Sequence, residues 1–86
     1  MEQIQLRVLK VIDRAGTIHL RKLFKVIGIE FSKIIEITKD LEGKGYIKSF
    51  THGGYRFFSI TEEGKKALRE VQEKRPTEKV IGEESS

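Results

Sequence analysis

The chain has 86 residues, a hydrophobic content of 37% and a formal net charge of +4, and this length leaves room for one small core and no second domain. Cysteine is absent and histidine occurs twice, which excludes disulfides, a thiol nucleophile and a zinc site built from cysteine and histidine. No apolar run approaches the ~18 residues of a membrane span and the N-terminus lacks a secretory pattern, so we expect a cytoplasmic protein without a membrane partner.

The positive charge is concentrated in the first two-thirds of the chain. Residues 1–60 carry eleven Lys and Arg against six Asp and Glu, whereas residues 61–86 carry six against seven. Such an excess favours a polyanionic partner. The charged content of 35% is dominated by Lys and Glu, and asparagine is absent, which favours a thermophilic source.

The first helical pattern runs from residue 2 to residue 15. One apolar face is formed by Ile4, Val8, Val11, Ile12 and Ala15, and Gly16 follows as a stop signal. Leu6 and Leu9 lie off this stripe, so they either pack against a neighbouring helix, which we favour, or remain available to a partner. A homodimer that uses Leu6, Leu9 and Leu68 and a monomer both stay open.

A second, shorter helix follows the β-prone link Thr17–Ile18. Its apolar face consists of Leu20, Leu23, Phe24 and Ile27, and Gly28 ends the pattern. The outer face carries Arg21, Lys22 and Lys25 without an acidic residue. This face is either an ordinary solvated surface or a set of phosphate contacts, and the missing acids favour phosphate.

The third helical pattern extends from Phe31 to Gly43, with Ser32 near its start. Its inner side is formed by Ile34, Ile37, Thr38 and Leu41. Helical projection places Ser32, Glu36 and Lys39 at the centre of the outer side, with Lys33 and Asp40 on one shoulder and Ile35 on the other.

Two aromatic and β-branched segments then predict a β-hairpin. They are Tyr46–Phe50 and Tyr55–Ile60, and the Thr51–Gly54 segment between them tolerates positive φ. Alternation turns Ile47, Phe58 and Ile60 towards the core. The aromatic residues of the hairpin could stack the bases of a single strand, but core packing and cross-strand pairing are the preferred interpretation.

The last helix begins after Thr61, which can cap it, and carries two glutamates in its first turn. It presents Ala67, Leu68 and Val71 inwards and runs to about Lys74. Pro76 breaks the pattern, and the following residues are polar and acidic. We therefore divide the chain into a folded domain, residues 1–75, and a disordered tail, residues 76–86.

The order helix, short strand, helix, glycine turn, helix, hairpin, helix resembles the winged helix-turn-helix superfamily. LEGKGYI at residues 41–47 resembles the end of the recognition helix leading into the wing, and FFSITEEGKKAL at residues 57–68 looks like the second wing strand and last helix of MarR-like, PadR-like and archaeal relatives. The resemblance covers about residues 2–74. It implies an α+β, mostly helical fold: a three-helix core with a β-hairpin wing and a C-terminal helix.

In this family the third helix enters the major groove of DNA, the second crosses the backbone, and the wing reaches neighbouring phosphates or the minor groove. The resemblance thus implies a regulator of transcription that binds double-stranded DNA. The expected contacts are Ser32, Lys33, Ile35, Glu36 and Lys39 on the recognition helix, Arg21, Lys22 and Lys25 on the second helix, and Lys48, His52, Gly53 and Arg56 on the wing.

The third helix departs from the basic recognition helices of the family, because its charges nearly cancel. Glu36 and Asp40 are four residues apart, a repulsive spacing on a helix, and carboxylates that face phosphates weaken binding. These acids keep open an alternative function, a winged-helix adaptor that grips a protein. No Gly-rich phosphate loop and no histidine beside acids at ligand spacing is present, so we expect no enzyme, metal or cofactor.

Overall fold

The structure, a computed structural model, describes residues 1–74 of the chain. Its elements are α1 (Gln3–Ala15), β1 (Thr17–His19), α2 (Leu20–Ile27), α3 (Phe31–Gly43), β2 (Ile47–His52), β3 (Tyr55–Ile60) and α4 (Glu62–Lys74). This is the predicted order, and the predicted tail at residues 76–86 lies outside the described residues. No helix in residues 1–74 is both long and apolar enough to cross a membrane.

Helix α1 lies at the centre of the core, because it packs against the other three helices and the sheet. Val8, Leu9 and Ile12 are completely buried. Helical projection places Leu9 outside the apolar stripe of α1, but a helix that is covered on several sides buries a wider face than one stripe.

The proposed dimer contacts are largely taken up by this core. Leu9 is 0% exposed and Leu68 on α4 is 5% exposed, so neither offers surface to a second chain. Leu6 is partly buried against the same core. Of the two interpretations of Leu6 and Leu9, the structure therefore supports packing.

The three strands form an antiparallel sheet in the order β1-β3-β2. Ile18 pairs with Phe58 and Ile47 pairs with Ile60, so one face of the sheet joins the core, as the alternation predicts. The hairpin turns at Gly53 and Gly54, whose φ angles are 59° and 81°. Two positive φ angles define a type I′ turn, which fits the twist of the strands and favours glycine at both positions.

Helices α2 and α3 meet at a turn that begins with Gly28. This residue adopts the left-handed conformation and its N–H donates to the carbonyl of Phe24. The rings of Phe24 and Phe31 then pack edge to face across the turn, with centroids 5.3 Å apart. Ser32 lies inside the first turn of α3, whose N-cap position is Glu30.

Thr61 fixes the start of α4 to the start of the wing by two hydrogen bonds and caps the helix with a third. The Thr61 N–H donates to the Tyr46 carbonyl at 3.0 Å and its hydroxyl donates to the Gly45 carbonyl at 2.6 Å. The same hydroxyl accepts from the Gly64 N–H at 3.0 Å, which confirms the predicted cap. Gly64 is buried, and a Cβ there would lie 2.8 Å from Ile60 Cγ1 and closer still to the Tyr46 carbonyl.

Candidate nucleic-acid interface

The outer side of α3 is exposed, as predicted. Ser32, Lys33, Glu36 and Lys39 lie in solvent and Ile35 is half-buried. The Lys33 ammonium lies 3.5 Å from a Glu36 carboxylate oxygen, and both side chains are more than half exposed, so this pair is weak. Lys39 has no ion-pair partner among the described residues.

Asp40 is held by a small polar cluster at the base of α3. Its carboxylate lies 3.2 Å from the Lys44 ammonium and also accepts from the Gln5 side-chain amide of α1. The hydrogen bond from Lys44, and then that from Gln5, lowers the pKa of Asp40 below its usual value, so the group stays ionised at neutral pH. The predicted repulsion between Glu36 and Asp40 is therefore offset, because each carboxylate has its own lysine partner.

A groove of about 690 Å³ lies between α2 and the wing. Three cationic side chains line it, Arg21 and Lys25 from α2 and Arg56 from β3. The rest of its wall is mostly apolar and aromatic: His19, Leu20, Phe24, Phe31, Gly54 and Tyr55. The fold thus brings together cations from two parts of the sequence that are about 30 residues apart.

The position of α2 in this groove depends on β1 and its last residue. His19 ends β1 and is the N-cap of α2, where its Nδ1 atom accepts from the Arg21 N–H at 3.2 Å. Because β1 pairs with β3, the strand that carries Arg56, the start of α2 is tied to the wing. The backbone positions that carry the cations are therefore fixed relative to each other across the groove.

The electrostatics of the groove suit an anion. Arg21, Lys25 and Arg56 are exposed and have no ion-pair partner among the described residues, and the same holds for Lys22, which lies on α2 outside the groove. Apolar walls lower the local dielectric and strengthen the attraction between such cations and a phosphate. An open groove also lets a polymer run through it.

The predicted wing residues are divided between two faces of the hairpin. Lys48 and His52 occupy register positions on one face, whereas Arg56 pairs with Thr51 on the other. Gly53 lies at the tip. The wing is anchored to the end of α3 by a 2.8 Å hydrogen bond from the Ser49 hydroxyl to the Glu42 carboxylate, a contact that no pattern in the sequence indicates.

By sequence, no family model and no curated protein matches the chain. Solved structures do match it. A mutant MarR from E. coli complexed with operator DNA has a TM-score of 0.80 at 18% sequence identity. The alignment spans 85% of this chain and 54% of the MarR chain. RV1404 from Mycobacterium tuberculosis has a TM-score of 0.82 at 26% sequence identity, and the alignment spans 91% of this chain and 55% of the RV1404 chain.

The PcaV transcriptional regulator from Streptomyces coelicolor, in complex with its natural ligand, has a TM-score of 0.79 at 20% sequence identity. This alignment spans 91% of this chain and 59% of the PcaV chain. This chain thus spans little more than half of the length of these three proteins. Likeness at such identities is a likeness of fold. The chain has the winged helix-turn-helix fold of the MarR structures, an α+β and mostly helical architecture.

Proposed function

We propose that this protein is a regulator of transcription that binds double-stranded DNA, with α3 in the major groove and with α2 and the wing on the sugar-phosphate backbone. The observation that carries the proposal is the groove in which Arg21, Lys25 and Arg56 converge without a described carboxylate partner. A MarR of the same fold forms a complex with operator DNA. A cytoplasmic location and the absence of catalysis belong to the same proposal.

On α3 the proposed base contacts come from the exposed side chains. Ser32 and Lys39 offer hydrogen-bond donors to base edges in the major groove, and Ile35 offers an apolar contact to a thymine methyl group. Glu36 would accept from a cytosine amino group once it leaves its weak pair with Lys33. Lys33, released in this way, offers a further hydrogen-bond donor to a base edge.

On the wing the two faces have different tasks. Arg56 faces the groove and acts with Arg21 and Lys25 on one stretch of phosphates. The Gly53 tip carries no side chain, which permits close approach to the minor groove, and Lys48 and His52 lie on the opposite face. The proposed contacts thus divide between the phosphate backbone, which positions the protein, and the base edges, which carry sequence preference.

A protein adaptor is the second candidate function. Its support was the acidic character of α3, and the lysine partners of Glu36 and Asp40 reduce that support. The observation that still favours it is Phe31, which is 47% exposed at the start of α3.

If the regulator acts as a homodimer, Leu6 is the only one of the three suggested contacts with surface to offer.

The salt dependence of DNA binding separates these two functions. Arg21, Lys22, Lys25, Lys48 and Arg56 would neutralise about five phosphates, so the slope of log K against log salt should be roughly −4 to −5. The measurement is a fluorescence-anisotropy titration of the purified chain against random-sequence duplex DNA at several salt concentrations. Absence of binding even at low salt would remove the DNA-binding proposal and leave the adaptor, whose apolar contacts depend far less on salt.

A further inference from the structure

The outer face of the sheet, the face away from the helical core, carries five ring-shaped side chains. Strand register puts Phe50 opposite Phe57, His52 opposite Tyr55, and His19 opposite Phe57. Residues that face each other across antiparallel strands share a face of the sheet. We call this set, His19, Phe50, His52, Tyr55 and Phe57, the aromatic platform.

The rings of the platform form a continuous layer. Phe50 and Phe57 are stacked with centroids 5.5 Å apart and an angle of 12° between their planes. His19 connects this pair to Tyr55, with centroid distances of 5.4 Å to Phe57 and 4.8 Å to Tyr55. His52 packs edge-on against Phe57. The layer spans all three strands.

The platform is open to solvent in the described part of the chain. Phe50 is 44% exposed and Tyr55 is 55% exposed, whereas the opposite face of the sheet buries Ile18, Ile47 and Phe58 in the core. Large exposed rings that lie side by side are unusual on a soluble domain and mark a binding surface. Cross-strand pairing alone does not account for these exposed rings, because it covers only part of the surface of each ring.

Positive charge borders the platform on two sides. Lys48 lies on the same face, two residues before Phe50 in β2. At the other edge His19 and Tyr55 also line the groove that holds Arg21 and Lys25. Flat rings beside cations that lack described partners match the chemistry of an unpaired nucleic-acid strand, whose bases stack on aromatic side chains while its phosphates meet Lys and Arg.

We propose that the aromatic platform binds single-stranded DNA by stacking bases on its exposed rings, Phe50 and Tyr55. This activity goes beyond the binding of duplex DNA by α3 and the groove, because in a duplex the base faces are already stacked on each other. Phe50 and Phe57 have no polar atom that could pair a 2′-hydroxyl, so deoxyribose is the better-matched sugar for this pair. Phe50 and Phe57 stack on each other, so the ring faces open to a base are those of Phe50 and Tyr55, which remain about half exposed.

The chain has no tryptophan, which permits a direct test. Phe50→Trp puts one fluorophore on the platform, and we expect its emission to be quenched when a single-stranded oligothymidine is added. Val26→Trp is the matched control, because Val26 is exposed to a similar degree, 45%, but lies on α2, off the sheet and outside the lining of the groove. A quench that is equal in the two variants, or absent from Phe50→Trp, would overturn the proposal.

A second measurement compares affinities for single and double strands. Phe50→Ala combined with Tyr55→Ala should weaken binding of the single strand by roughly tenfold or more, whereas Phe50→Ala alone, whose position lies outside the groove, should leave duplex affinity unchanged. Phe50→Leu keeps apolar surface without a π-face and should also weaken strand binding. If the single strand binds normally to the double variant, or if RNA of the same sequence binds more tightly than DNA, the assignment is wrong.

Two other results, loss of duplex binding and self-association of the chain, can be told apart from binding of a single strand by the platform. Failure of duplex binding with retention of strand binding would remove the proposed function and leave the platform standing. Concentration-dependent dimerisation that is abolished by Phe50→Ala and Tyr55→Ala, measured by sedimentation, would show that a second copy of the chain covers the platform. That result would overturn the single-strand proposal.

Discussion

Replacement of Arg21, Lys22 and Lys25 together with alanine is expected to weaken binding to every duplex by about two to three orders of magnitude at ~0.1 M salt. All three side chains are exposed on α2 and have no ion-pair partner among the described residues, so their loss removes phosphate contacts without disturbing the core. The slope of log K against log salt should become shallower by about 2 to 3. Anisotropy titrations against specific and random duplexes measure both quantities.

The matched control removes the same charge from another face. Lys65, Lys66 and Arg69 are exposed on α4, away from the groove. Their joint replacement with alanine should change duplex affinity by only a few-fold, through the loss of long-range attraction. Equal losses of duplex affinity in the two triple variants would mean that the cations of α2 contribute no more to DNA binding than those of α4.

Gly64→Ala is expected to destabilise the fold by about 1–3 kcal/mol, although alanine favours a helix over glycine. The added Cβ would lie 2.8 Å from Ile60 Cγ1 and would collide with the Tyr46 carbonyl. That carbonyl accepts the Thr61 N–H, so the start of α4 must shift away from the wing and strain this hydrogen bond. Urea unfolding of the variant, followed by circular dichroism, measures the change in the free energy of unfolding.

Gly43→Ala provides the comparison for this variant. Gly43 also lies in a helix, but nothing stands within 4 Å of a Cβ built there and its φ is not positive. We therefore expect Gly43→Ala to be neutral or to stabilise the fold by about 0.5–1 kcal/mol. Similar behaviour of the two glycine variants would contradict the close packing of α4 against the wing.

The elements of this fold could be predicted from the sequence because their signals are local. Apolar spacing located α2 and α3 to within a residue or so, Gly28 and Gly16 marked helix ends, and the glycine pair marked the hairpin turn. Thr61 was identified as a cap from its position before two glutamates, and its hydroxyl does accept the Gly64 N–H. Such features need only a few neighbouring residues.

The parts that escaped prediction depend on residues far apart in the chain. Asp40 meets Gln5 of α1, and no periodicity indicates which polar residue of one helix faces another. Packing was the favoured interpretation of Leu9 and its full burial confirms it, but the projection does not show that α1 is covered on several sides. Gly64 gave no signal at all, since its role is set by the Tyr46 carbonyl beside it.

The site shows the same division between local and distant information. The exposed cations of α2 could be named from the helical projection, but their convergence with Arg56 depends on the pairing of β1 with β3. Alternation turned Phe58 towards the core and the other rings were assigned to core packing or cross-strand pairing; Phe58 is buried, and Phe50 and Phe57 stack across the strands. Register, which fixes the face of each ring, is known only once the strands are paired.

The pairing of β1 has a further consequence for the order of folding. The hairpin of β2 and β3 closes over a two-residue turn, whereas Thr17 and Ser59 are about 40 residues apart along the chain and carry a larger loop-closure entropy. Until that loop closes, α2 is a short helix without a fixed relation to the hairpin. The chain can thus possess a complete wing before it possesses the groove, which is therefore a property of the finished tertiary structure alone.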